Sequence, residues 1–202
     1  MINLMSRQKV APLEKHLVHG TFVSVSKLEA ARRQLDTAIY LQFNDGDFIS
    51  IHTLSYAAIE ILDALLQAKG KRNFSVLRSE AVKPEYRDRA EALFRQTANF
   101  FKHGKKDPGS TIDFNPDVNR LLLALGAWSY GQIAGVTQLT PNMGAWFFWL
   151  RLWWPEMFVS PPCPPSLEKL CQQFRPTDGS RFLKTVSLLI TIAAPINSSN
   201  DR

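Results

Sequence analysis

Two helical periods joined by four residues restrict this chain more than any other feature of it. Residues 26–43, SKLEAARRQLDTAIYLQF, repeat apolar side chains at helical spacing through Leu28, Ala31, Leu35, Ala38 and Ile39. Ser26 followed by Glu29 is a capping-box start, and Arg32 and Asp36, one turn apart on the same flank, can pair. Asn44–Asp47, NDGD, reads as a turn. A second helix then starts with Ser50 as its cap, runs to Lys69 on the stripe Ile51, Leu54, Ala58, Ile61, Leu62 and Leu65, and ends at Gly70. So short a connection folds the two helices back on each other. The expectation is an all-α protein: an antiparallel up-down helical bundle over residues 26–138, preceded by a lead-in over 1–25 and followed by a helical, aromatic-rich C-terminal extension and tail over 139–202.

The segment from Pro84 to Asp107 is the third helix and the one with the most chemistry. Pro84 suits a first helical position. Glu85, Asp88 and Glu91 match the positive end of the dipole, and Lys102, His103, Lys105 and Lys106 match the other end. Gly104 is placed like a C-terminal cap, and Pro108 forbids continuation. Tyr86, Ala90, Leu93, Thr97, Phe100 and Phe101 form the expected inner face. Beside it Arg95, Asn99 and His103 follow at four-residue steps along one flank, so a cation, an amide and an imidazole stand in a row. In an up-down bundle the end of the first helix, the start of the second and the end of the third share one pole. That pole would gather Asp45, Asp47, His52, Asn99, Lys102, His103, Lys105 and Lys106.

The charge distribution bears on what such a pole can meet. The 202 residues carry a formal net charge of +6, and almost all of the excess lies before residue 110. A mildly basic surface permits nucleic acid or another acidic partner without requiring one. The two cysteines, Cys163 and Cys171, have no second pair and no histidine beside them, which argues against zinc. His16 and His19 share a helical face without a third ligand nearby. No metal and no cofactor is expected. The N-terminus has no apolar signal-like stretch, so a cytoplasmic location with reduced thiols is expected.

After Gly109 the chain becomes apolar. Asn115-Pro116 reads as the cap and first residue of a fourth helix, in which Gly131 and Gly135 would admit another helix closely. Thr140-Pro141 starts a fifth, containing GAWFFWLRLWW. No charged residue occurs between Arg120 and Arg151, but Thr137-Gln138 and Thr140-Pro141-Asn142 divide the stretch into pieces shorter than a bilayer requires. These are expected as core helices, with no transmembrane span. The tryptophans Trp146, Trp149, Trp153 and Trp154 also offer a surface for a protein partner or a homodimer. A Pro-rich linker at 160–165 and a short helix at Ser166–Phe174 follow, and residues 185–196 read equally as strand or helix.

P-loop, dinucleotide-binding, zincin and serine-hydrolase signatures are absent. The segment Arg95–His103, RQTANFFKH, resembles the motif of the HEPN superfamily, small helical bundles of toxin–antitoxin and defence systems, many of them metal-independent ribonucleases. Asn99 and His103 match the asparagine and histidine of that motif; Ala98 stands at its arginine position, and Arg95 is the nearest upstream cation. The resemblance implies an RNA- or nucleotide-associated domain with His103, Asn99 and Arg95 as catalytic candidates. Metal-free RNA cleavage needs a base for the 2′-hydroxyl and a cation for the phosphate. His103 is the candidate base, with Arg95 or Lys102 as the cation. Lys102, Lys105, Lys106 and His52 are the candidate nucleic-acid contacts. The other reading is a non-enzymatic interaction module using the Trp-rich segment 146–154.

Overall fold

A computed structural model describes residues 22–70, 84–104, 107–153, 173–174 and 178–193 of the protein, and all regular structure among them is helical. The helices are α1 (Lys27–Phe43), α2 (Phe48–Ala68), α3 (Pro84–Lys102), α4 (Val118–Ala134), α5 (Pro141–Trp153) and α6 (Gly179–Ala193), with a 3-10 turn at Val136–Gln138.

Local sequence sets most of the helix ends. Ser26 caps α1 by accepting from the Glu29 N–H at 3.1 Å. Glu29 itself turns outward to Arg32 and Arg33, at 2.6 and 2.7 Å. The α1–α2 turn places Asp45 at φ 50, a left-handed conformation that a short polar side chain tolerates. The cap of α2 is Asp47, whose carboxylate accepts from the Ser50 N–H at 2.7 Å, so α2 begins earlier than its serine suggests. Asn115-Pro116 forms a turn before α4, with Asn115 Oδ1 accepting from Asp117 N–H at 3.0 Å, and the helix proper starts at Val118. Residues 185–193 belong to α6, which settles the ambiguous apolar tail as helix as far as Ala193.

Pairwise contacts give the helix directions. The start of α4 meets the start of α2, where Asn119 Nδ2 donates to the Phe48 carbonyl at 2.9 Å. The ends of the same two helices meet where Lys69 Nζ donates to the Ile133 carbonyl at 3.2 Å. They therefore run in the same sense. Helix α5 is tied by its first turn to the middle of α1 and by Trp146 and Trp149 to Phe43, so these two also run together. Helix α3 lies across the His52–Glu60 stretch of α2.

Two buried clusters result. The larger draws on α1, α2, α4, α5 and α6 and includes Leu35, Ile39, Phe43, Leu62, Met143, Trp146, Trp149 and Phe182. The segment 139–202 thus contributes α5 and α6 to the same core as α1. Phe43 is its hinge point, with ring centroids 5.4 Å from Trp146, 5.5 Å from Trp149 and 6.0 Å from Phe182. Burying each such side chain contributes about 1.5–3 kcal/mol. The smaller cluster joins α2, α3 and α4 through Tyr56, Ile59, Phe94, Ala98, Leu122 and Leu125.

Three sequence expectations change here. Thr97 of the expected inner face of α3 is buried, but beside Phe94 and Ala98, whereas Leu93 is 48% exposed. Close helix approach occurs at Gly126, where a Cβ would lie 2.4 Å from Leu35 Cδ2. Gly131 instead faces the 3-10 turn and Gly135, at φ 99, ends α4. Trp146 and Trp149 are core residues, so they do not supply an exposed aromatic surface. One described helix, α2, is long and apolar enough to cross a membrane; 44% of that stretch is buried among its neighbours. Helices α4 and α5, with 17 and 13 residues, are shorter than a typical span.

Candidate functional site

Burying Phe94, Thr97 and Ala98 fixes the rotation of α3 and so decides what its outer edge carries. Arg95, Asn99 and His103 are all exposed, at four-residue steps over the last turns. The His103 N–H still bonds the Asn99 carbonyl at 2.9 Å, which carries the helical turn one residue past Lys102. From Arg95 to His103 the edge spans about 12 Å at the helical rise. Lys105 and Lys106 lie outside the described residues, as do Cys163, Cys171, His16 and His19.

The cations on this edge are already engaged. Arg95 Nη2 donates to Glu91 Oε1 at 2.8 Å, one turn earlier on α3, and its positive charge acts on the Tyr56 hydroxyl of α2. Lys102 Nζ reaches Glu60 of α2 at 3.0 Å and lies 5.2 Å from the centre of the Tyr56 ring. Lys102 therefore also fastens α3 to α2. Solvent-exposed ion pairs are worth only about 0–1 kcal/mol, so these carboxylates hold the two cations weakly. Burial pushes the Tyr56 hydroxyl above its ordinary range, which keeps it a neutral donor and acceptor.

His52 does not belong to that edge. It has no exposed surface, and its Nδ1 lies 3.0 Å from Asn119 Oδ1. Because Asn119 Nδ2 donates to the Phe48 carbonyl, its oxygen must face the ring, and the proton of the neutral imidazole is assigned to Nδ1. Nε2 is left without a hydrogen-bond partner. Aromatic rings surround the imidazole: Tyr56 stacks on it at 6.3 Å, and Phe101 and Phe114 meet it edge-on at 5.5 and 5.2 Å. Burial lowers its pKa, and Lys102 adds to the effect; Asn119 and the Phe94 backbone oppose it. The expectation that His52 contacts nucleic acid is therefore corrected: an interior imidazole cannot reach a phosphate. Its partner Asn119 was legible only as a lone amide on the same helical side as Leu122, Leu123 and Gly126. Tyr56, Glu60 and Phe114 gave no local signal, because their role comes from which helix lies over them.

A second polar centre lies on α1. Asp36 accepts from Arg32 at 3.0 Å and from the Thr140 hydroxyl at 2.5 Å, and Thr140 in turn accepts from the Met143 N–H at 3.2 Å. Burial raises the Asp36 pKa despite these donors. Arg32, and after it Arg33, hold the neighbouring Glu29 carboxyl down to about 2. This network caps α5 and ties it to α1. No three His, Cys, Asp or Glu side chains cluster among the described residues in a way that would hold a metal.

An open groove of about 420 Å³ runs between α4 and α5. Trp128, Val136, Leu139, Phe147 and Phe148 make its walls apolar, with Gln132 and Arg151 the polar residues among its lining. Trp128 is half exposed.

Comparison with known proteins leaves the chain by itself: no family model, no curated protein and no solved structure matches it.

Proposed function

We propose that this chain is an RNA- or nucleotide-associated helical domain of the HEPN type whose working edge is the outer side of α3. The observation that supports it most is the exposed row of Arg95, Asn99 and His103, backed by Lys102, on the basic half of the chain. In this reading Arg95 and Lys102 exchange their carboxylate partners for phosphate oxygens. Asn99 orients the phosphate, and His103 takes the proton of the attacking 2′-hydroxyl. The 2′-oxygen bonds the phosphorus, the P–O5′ bond breaks, and the departing 5′-oxygen takes a proton from water, leaving a 2′,3′-cyclic phosphate.

The test is cleavage of single-stranded RNA in EDTA by the wild type and by His103→Ala, with salt-dependent RNA binding measured in parallel. Cleavage lost in the variant, with binding retained, supports the reading. Intact RNA with both proteins removes the enzymatic role. Binding that is absent at low salt removes the RNA association altogether.

The α4–α5 groove favours a second reading, a non-enzymatic module that docks a second copy of the chain through the Trp128 face. Here sedimentation decides. A dimer that Trp128→Glu converts to monomer supports it, and a wild-type monomer at all concentrations overturns it.

A further inference from the structure

His52 lies where four parts of the chain meet, and its burial there disfavours the charged ring. Its own helix supplies Tyr56, α3 supplies Phe101, the segment before α4 supplies Phe114, and α4 supplies Asn119. The ring is fully buried, donates through Nδ1 and leaves Nε2 bare. A second proton would have to sit on that Nε2, inside an aromatic enclosure. From α3 the Phe94 backbone favours a positive ring and the charge of Lys102 opposes it, while burial outweighs both. The partner from α4 is the neutral amide of Asn119, and α2 presents the Tyr56 phenol. Glu60 of α2 is paired with Lys102, and Asp117 before α4 with Arg120 at 2.9 Å. A buried cation with no opposite charge costs several kcal/mol unless the group reaches water. The cheapest way for His52 to reach water is for α3 and the Phe114 segment to lift.

We propose that His52 is an acid-operated latch: protonation of its ring releases α3 and the Phe114 segment from α2 and α4 while the Phe43-centred core stays closed. The ring must leave the enclosure to accept the proton, so opening and proton uptake are one event. Release would also break the Lys102–Glu60 and Lys102–Tyr56 contacts, which hold the outer edge of α3 in place. The latch is independent of the RNA reading, since it needs only the packing around His52.

Amide hydrogen exchange of the Phe94–Lys102 segment, corrected for intrinsic rates, tests it between pH 8 and pH 5. In the wild type and in His103→Gln, the opening equilibrium should rise about tenfold per pH unit below roughly 6.5, as one proton is taken up on opening. In the paired apolar variant His52→Phe/Asn119→Leu the same segment should be insensitive to pH. Amides of the Ile39–Phe43 turn are the internal reference and should stay protected. A pH-independent wild type, a dependence that survives in the paired variant, or reference amides that exchange in step with α3 would each overturn the latch. Ring proton resonances of the wild type give a check that needs no variant. A His52 that titrates at 6.5 or above with α3 still protected would also overturn it.

Discussion

Phe43 and His52 stand on either side of one turn, yet they anchor two different interiors. Around Phe43 the packing is apolar and aromatic, built from α1, α5 and α6, and the α6 backbone approaches so closely that a Cβ at Gly179 would lie 2.9 Å from the Phe43 carbonyl. Around His52 the packing is smaller, and it depends on one amide, Asn119, to satisfy both the imidazole and the Phe48 carbonyl. The first interior is stabilised by area removed from water, which no change of pH in the ordinary range alters. The second is stabilised only while its polar atoms remain neutral and paired. The part of the molecule that carries the exposed Arg95–His103 edge is thus the part held down by the more conditional core.

The largest break in this comparison should come from Phe43→Ala. A cavity among Trp146, Trp149 and Phe182 predicts a loss of about 3–5 kcal/mol in denaturant unfolding. Asn119→Ala should follow, at about 2–4 kcal/mol, because two buried polar groups lose their partner together. Its effect should appear first as faster exchange in α3, whereas Phe43→Ala should loosen α5 and α6. The pH response is smaller and has a definite sign. The folded-state pKa of His52 is depressed, so its contribution is intact above about 6.5 and declines as pH falls toward the folded value, by at most about 1.4 kcal/mol per unit. Glu29, held at about 2, adds its own loss only below about 4.5, which separates the two windows in an unfolding titration. The smallest effect should be that of Glu60→Gln, under about 1 kcal/mol, because the Lys102 pair is partly exposed to solvent. A larger loss would mean that α3 is fastened by its ion pairs more than by its buried face.

Much of the architecture was legible because it is local. The Ser26 cap, the Asn44–Asp47 turn, the start of α5 at Thr140-Pro141 and the Arg32–Asp36 pair each depend on residues within a turn or two of one another. What was misread depends on the partner helix. On α3 Leu93 was expected inside in place of Phe94 because both are apolar, and periodicity cannot choose between adjacent positions. The choice comes from Tyr56, Ile59, Leu122 and Leu125, which accept Phe94 and Ala98. The aromatic run of α5, expected as core but open to a surface reading, is core because Phe43 and Phe182 close over Trp146 and Trp149.

By itself, then, the sequence determined the helices, their punctuation and the flank on which Arg95, Asn99 and His103 stand. Those are consequences of backbone geometry and of interactions within a few residues. Only the tertiary structure decided that His52 leaves the basic pole for the interior, that Lys102 pairs with Glu60 of another helix, and that Trp128 is half exposed on the α4–α5 face. Burial is a property of pairs of helices, and no residue's own chemistry states which neighbour will cover it.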